Sequence, residues 1–307
     1  MSEFQLYKKR DFSALMNDTI QFFKQCGKNY FRNYVVINGV LLLLMCVLYF
    51  LVFKDMLKDM YNPNAVAGSW ITNNSNPVLF GGGILLFFLV SIALGIFTTA
   101  FPMVYLKLLK TKEEETISSS EIFDGIKSYA GRMFMFGLIS IFIMIPLGIV
   151  IFAIGAALSV LIIGIPILML ALPTYMIWLM QSLYVYIEED TPYFKALNKG
   201  WKITFEKYWH VVGSSIIISL IVMIAGSIFS IIPAIAMMSS IITTGGHPEA
   251  LVMTPTMIAL NIVGLVFSYI AYNVLYVQQG LVYYSSQENS VNYQSFSEIE
   301  SIGKDEE

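Results

Sequence analysis

Charge is scarce in this chain: only 13% of its 307 residues are Asp, Glu, Lys or Arg, about half the share of a soluble domain. Apolar residues make up 57%. A water-soluble globule of this length needs far more polar surface to cover its core. The formal net charge of −3 is too small to indicate an acidic or basic macromolecular partner, and no nucleic acid is expected. Cysteine is nearly absent. Cys26 sits in a charged segment and Cys46 in an apolar run, with no CxxC between them, so neither a disulfide framework nor a thiolate metal site is predicted. Histidine is as rare. His210 and His247 have no second histidine or carboxylate at ligand spacing. There is no phosphate-cradling glycine loop, because Gly81-Gly82-Gly83 opens an apolar run, and no serine nucleophile elbow. No catalytic, metal or cofactor-binding residue is therefore predicted, and no enzyme activity.

What the chain does have is long apolar runs. A bilayer core needs roughly 20 apolar helical residues. The first 33 residues are charged and polar, and the run that follows is too long for a signal-peptide core. It is expected to serve as an uncleaved signal anchor. Spans are predicted at about 34–53, 78–106, 133–156, 161–187, 208–242 and 256–284. The charge-free stretch from Met133 to Ile187 is too long for one helix. Gly155, Gly164 and Pro166 place its turn within 155–164. The fold class is all-α, a polytopic membrane protein of about six transmembrane helices.

The basic residues set an expected orientation. Six Lys/Arg precede the first span, five lie in 107–132, four in 188–207 and one, Lys304, in the tail. The other side holds only Lys54 and Lys58. A split of sixteen to two predicts both termini in the cytoplasm. Asn73-Asn74-Ser75 in the outer loop matches a glycosylation acceptor, which in a bacterial protein is chance. Residues 285–307 are polar and acidic and are read as a disordered tail.

The cytoplasmic segments share a plan: a short amphipathic helix, a basic residue with one or two aromatics, then a span. In the first, Phe12, Leu15, Met16, Ile20 and Phe23 form the apolar stripe and Asp11 caps it. The second begins at Ser120-Glu121-Ile122-Phe123. In the third, Phe194, Leu197, Trp201 and Phe205 form the stripe, with Lys195, Lys199 and Lys202 on other faces. Such helices lie in the headgroup layer. The six spans would then form three pairs, each led in by a surface helix. Either a true threefold repeat or three similar interfacial anchors accounts for the pattern.

The stretch Glu188-Glu189-Asp190-Thr191-Pro192-Tyr193-Phe194-Lys195-Ala196-Leu197-Asn198-Lys199-Gly200-Trp201-Lys202, followed by Tyr208-Trp209-His210-Val211-Val212-Gly213, resembles a motif of a prokaryotic family of six-helix membrane proteins. That family includes the membrane domain attached to some bacterial glycerophosphodiester phosphodiesterases and its stand-alone relatives. Its members show an acidic residue, then ALxxSW, a basic stretch, an aromatic and a glycine. Gly200 stands here where serine is commoner. The motif covers about 30 residues. The resemblance implies the six-span layout and no activity, because the histidines, glutamates and aspartates of the attached phosphodiesterase are missing.

Two groups of residues are candidate sites. Lys199, Gly200, Trp201, Lys202, Lys207, Tyr208 and Trp209 form an interfacial motif suited to lipid or partner docking. Gln181, Asn261, Asn273 and Gln278 are polar positions within spans that would line a cavity or bond between helices. No Asp, Glu, Lys or Arg falls inside a predicted span, which argues against an ion-coupled carrier. The expected function is a scaffold or accessory subunit that organises membrane lipids or a membrane or soluble protein partner. The alternative is a small transporter or lipid-handling protein without ion coupling, suggested by the pseudo-repeats and by Pro166 and Pro173 in the fourth span.

Overall fold

The structure, a computed structural model, describes residues 4–60, 77–110, 116–160, 162–243 and 255–302. The Asn73-Asn74-Ser75 acceptor and His247 lie outside these residues. Among the described residues there are seven α-helices and one π-helical turn. They are α1 (Phe12–Met60), α2 (Pro77–Leu108), α3 (Ser119–Ser159), α4 (Gly164–Glu188), α5 (Tyr193–Glu206), the π turn (Trp209–Gly213), α6 (Ser214–Thr243) and α7 (Pro255–Ile302). Six of the helical segments are long and apolar enough to cross a bilayer. The chain is a multi-pass, all-α membrane protein. Large apolar side chains point outward along these helices, among them Val40, Leu43, Phe142 and Met169. In hydrocarbon that exposure costs nothing, whereas in water it would form an apolar patch large enough to aggregate.

Only the third of the expected surface helices stands apart. The first two are the N-terminal turns of α1 and α3. No proline separates Asp11 from Phe53, and the one interruption before the span, Gly27, is tolerated within a helix. The start of α3 is fixed by a capping box. The Glu121 N–H donates to Ser118 Oγ, and the Ser118 N–H donates to the Glu121 carboxylate. The α3–α4 link falls between Ser159 and Gly164, with Ile162 at φ 66°. Beyond Ser285, the segment read as disordered continues as helix to Ile302. No glycine or proline intervenes between Gly280 and Gly303 to stop it.

The chain divides into two compact units. The first comprises residues 1–33, 99–219 and 274–307, and the second 34–98 and 220–273. In the second, the Tyr34 hydroxyl donates to the Tyr269 carbonyl at 3.1 Å, and Phe53 packs edge-on against Phe87 at 4.9 Å. Met257 and Ile258 are buried there against Tyr49, Phe53 and Ile262.

The first unit has an aromatic core. Tyr30 packs edge-on against Phe101 and Tyr105, each at 4.9 Å, and against Phe22 at 5.6 Å. Each such pair adds about 0.5–1.5 kcal/mol beyond area burial. The Tyr105 hydroxyl donates to Asn29 Oδ1 at 3.2 Å, and Asn33 Nδ2 donates to the Ile117 carbonyl at 3.3 Å. These bonds tie α1 to α2 and to the entrance of α3. The buried stripe of α1 is Leu15, Thr19, Phe22, Cys26 and Tyr30. It is turned from the predicted stripe: Ile20 is 51% exposed and Phe22 is fully buried. The cause is polar. Asp18 faces inward to meet Arg10, so the inner face contains a carboxylate that a hydrophobic pattern places outside.

Candidate functional site: an interfacial helix and the acidic strip that anchors it

Helix α5 carries three faces. Tyr193, Ala196, Leu197, Gly200, Ile203 and Thr204 are buried at helical spacing. This inner face lies on α4. The Trp178 indole N–H donates to the Leu197 carbonyl at 2.8 Å. At Gly200 the two backbones come so close that an added Cβ would lie 2.6 Å from Ser182 N and 2.7 Å from its Cα. A serine, the commoner residue in the resembled family, cannot enter here without separating the helices.

A second face is aromatic and outward. Phe194 is 69% exposed and Trp201 47%, with Phe205 on the same side. The row runs on through ring contacts: Trp178 to Trp201 at 5.1 Å, Trp201 to Phe205 at 4.0 Å, Phe205 to Tyr208 at 5.5 Å and Tyr208 to Trp209 at 5.2 Å. Trp209 is 65% exposed. Of the predicted stripe, Leu197 alone turns inward. The third face bears Lys195, Lys199 and Lys202. An apolar aromatic face beside a basic one is the form of a helix lying in the headgroup layer.

The predicted lysines have different surroundings. Lys199 bonds to Glu189 at 2.6 Å. Lys202 is exposed. Lys207 turns to a cleft described below. The Tyr208 hydroxyl lies 2.9 Å from Thr174 Oγ1, which pins the start of the π turn to α4.

In the sequence Glu188, Glu189 and Asp190 are only the charged residues that follow the 161–187 span. In the structure each grips a different element. Glu188 accepts from Lys110, just past α2, at 3.3 Å. Glu189 holds Lys199 of α5 and also accepts from the Tyr283 hydroxyl and Gln287 Nε2 of α7, both at 3.1 Å. Asp190, in the left-handed region at φ 51°, pairs with Arg132 of α3. Arg132 also donates to the Tyr186 carbonyl at 2.7 Å.

The four polar span residues do not form one group. Asn261 and Asn273 belong to the second unit and donate to their own helix, to the Met257 and Tyr269 carbonyls, each at 2.9 Å. Gln181 and Gln278 are buried in the first unit. Gln181 Nε2 donates to Gln279 Oε1 at 2.9 Å, and Gln279 Nε2 donates to Ser215 Oγ at 2.8 Å. Gln278 Nε2 donates to Ser214 Oγ, also at 2.8 Å. This is helix-to-helix bonding rather than a cavity lining, and it joins α4, α7 and the start of α6. Gln279→Leu removes the middle of the chain and is expected to cost about 1–2 kcal/mol. Thermal unfolding in detergent, with Gln181→Leu/Gln279→Leu recovering part of the loss, measures it.

Comparison with protein-family models, characterised proteins and solved structures finds no significant match for this chain.

Proposed function

We propose that the chain is a non-enzymatic protein of a bacterial inner membrane that organises lipid or a partner protein at the cytoplasmic interface, with α5 as the contact element. The observation that carries this reading is the outward row of Phe194, Trp201, Phe205 and Trp209 beside Lys195 and Lys202. These aromatics are exposed although α5 already has a complete inner face buried on α4. Tryptophan, rigid and with a polar N–H, settles at headgroup depth, phenylalanine beside it enters the acyl boundary, and adjacent ammonium groups attract anionic headgroups at about 1 kcal/mol each. Support for cytoplasmic termini comes from the charge partition. The described Lys/Arg of the predicted inner side all fall in the first unit, and Lys54 falls in the second. The membrane-domain resemblance agrees with this reading and adds no chemistry to it.

Purification of the full chain in mild detergent, followed by mass spectrometry of what accompanies it, tests the proposal. Anionic lipid above its bulk share, or a stoichiometric protein, is expected to accompany the wild type. Trp201→Ala/Trp209→Ala and Lys195→Gln/Lys202→Gln should each strip it. A lone species with bulk lipid composition, from cells whose membrane composition is unchanged by deletion of the chain, overturns the reading.

A further inference from the structure

Away from the aromatic row of α5 lies a cleft of about 60 Å³. It has room for roughly four to six waters at 10–15 Å³ each. Its walls come from the N-terminal segment, the α5–π turn junction and the end of α7, all within the first unit. Lys9, Lys207 and His210 reach it from two sides, and Ser285 and Ser286 from a third. Arg10 lies beneath, its guanidinium held by Asp18. Glu206 is the carboxylate of the lining.

Three observations distinguish this cleft from an ordinary surface dent. Lys9 reaches Glu288 at 3.7 Å with its side chain 62% exposed, so that pairing is loose and screened. The side chains of Lys207 and His210 make no hydrogen bond or ion pair with any described residue. Ser285 Oγ accepts the Arg10 N–H at 2.9 Å, which leaves its own hydrogen free to donate inward. The backbone is also irregular at this place. α5 breaks at Lys207, at φ −129° and ψ 57°, and the chain re-enters helix through the π turn that carries His210. π turns re-aim side chains and are frequent at binding sites. Here the turn places Lys207 and His210 in the lining of one cleft.

From these features we infer that the cleft binds a phosphoryl group. An ammonium, an imidazole and a hydroxyl converging from different walls suit a tetrahedral oxyanion with several acceptor oxygens. The buried Arg10 charge adds a favourable field from below. The cleft's size admits a phosphate and little more, so the rest of the ligand projects outward. The group is the headgroup of a phosphate-monoester lipid or a soluble phosphate. The inference stands apart from the docking role of α5, because no residue of the outward aromatic row takes part.

Two measurements on the full chain test it. Inorganic phosphate is titrated by calorimetry into the detergent-purified protein. Lys207→Met and His210→Gln are each expected to weaken binding by about tenfold, the loss of one hydrogen bond to a charged partner. Lys127→Met, on α3 and outside the lining of the cleft, should leave it unchanged. The titration is then repeated in nanodiscs of phosphatidylcholine alone and with added phosphatidic acid. If phosphatidic acid abolishes the phosphate signal, the lipid headgroup is the ligand. If the signal persists in both discs, the ligand is soluble. Titrations that show no phosphate binding, or that are identical for the wild type and both cleft variants, overturn the site.

Discussion

Replacing Arg10 by alanine is expected to release the N-terminal segment from the first unit, at a cost of about 3–5 kcal/mol. The side chain of Arg10 is fully buried, and that of Asp18 nearly so. Its Nε donates to Asp18 at 2.9 Å, Nη1 to the Leu6 carbonyl at 2.8 Å and Nη2 to the Gln5 carbonyl at 2.6 Å. Burial pushes the guanidinium pKa down from its ordinary value, against the pull of Asp18. A group that starts so high stays charged across physiological pH. Truncation therefore leaves a buried carboxylate with only Lys8, at 3.3 Å, and strands the Gln5, Leu6 and Lys8 carbonyls. Such a penalty is a large share of the 5–15 kcal/mol that holds a typical domain together. Limited trypsin digestion reads it directly, as rapid cleavage at Lys8 and Lys9 in Arg10→Ala and slow cleavage in the wild type. Arg10→Lys keeps the charge without the fork of donors and should fall between them. Arg10→Met/Asp18→Leu removes both charges and should recover much of the stability. Equal cleavage of Arg10→Ala and wild type would show that the pair carries no such energy.

Gly200→Ala is expected to detach α5 from α4. The added methyl meets Ser182 Oγ, but the hydroxyl is not the obstacle, because the Ser182 N and Cα lie within 2.7 Å. Backbone cannot rotate away as a side chain can, so the helices must separate. Overpacking of this kind costs about 1–3 kcal/mol and more where backbone must shift. The separation would break the Trp178 to Leu197 bond and the Trp178–Trp201 contact. Tryptophan emission should move to longer wavelength and the thermal midpoint should fall. Ser182→Ala should not rescue Gly200→Ala, since the clash with backbone persists. A rescue would place the obstacle in the hydroxyl and refute the close-approach argument.

The extent of the fold was legible because apolar length is a strong signal. The α3–α4 turn falls inside the window marked by Gly155 and Gly164, and the cap at Ser118 is written in its spacing to Glu121. The face that α1 buries was not legible. Asp18 is read as a surface residue until its partner Arg10, eight positions away and outside the helix, is known to lie against it. The third surface helix is separate because the chain breaks at Lys207. Neither glycine nor proline stands between Glu206 and Trp209 to mark that break in the sequence. The candidate motif was legible as chemistry but not as geometry. Seven residues that read as one docking site divide between a packed glycine, an outward aromatic row, a lysine tied to Glu189, an exposed lysine and a lysine in the cleft. The glutamines were legible as polar, but the pairing of Gln181 with Gln279 was not.

The acidic strip after α4 has a further consequence. Glu188 reaches the end of α2, Glu189 both α5 and α7, and Asp190 α3, so four helices register against three consecutive peptide units. A strip that short cannot translate relative to one partner without moving against the rest. A pull on α5 therefore acts on a common knot, which passes it to the end of α2, to α3 and to α7 through carboxylates less than one helical turn apart.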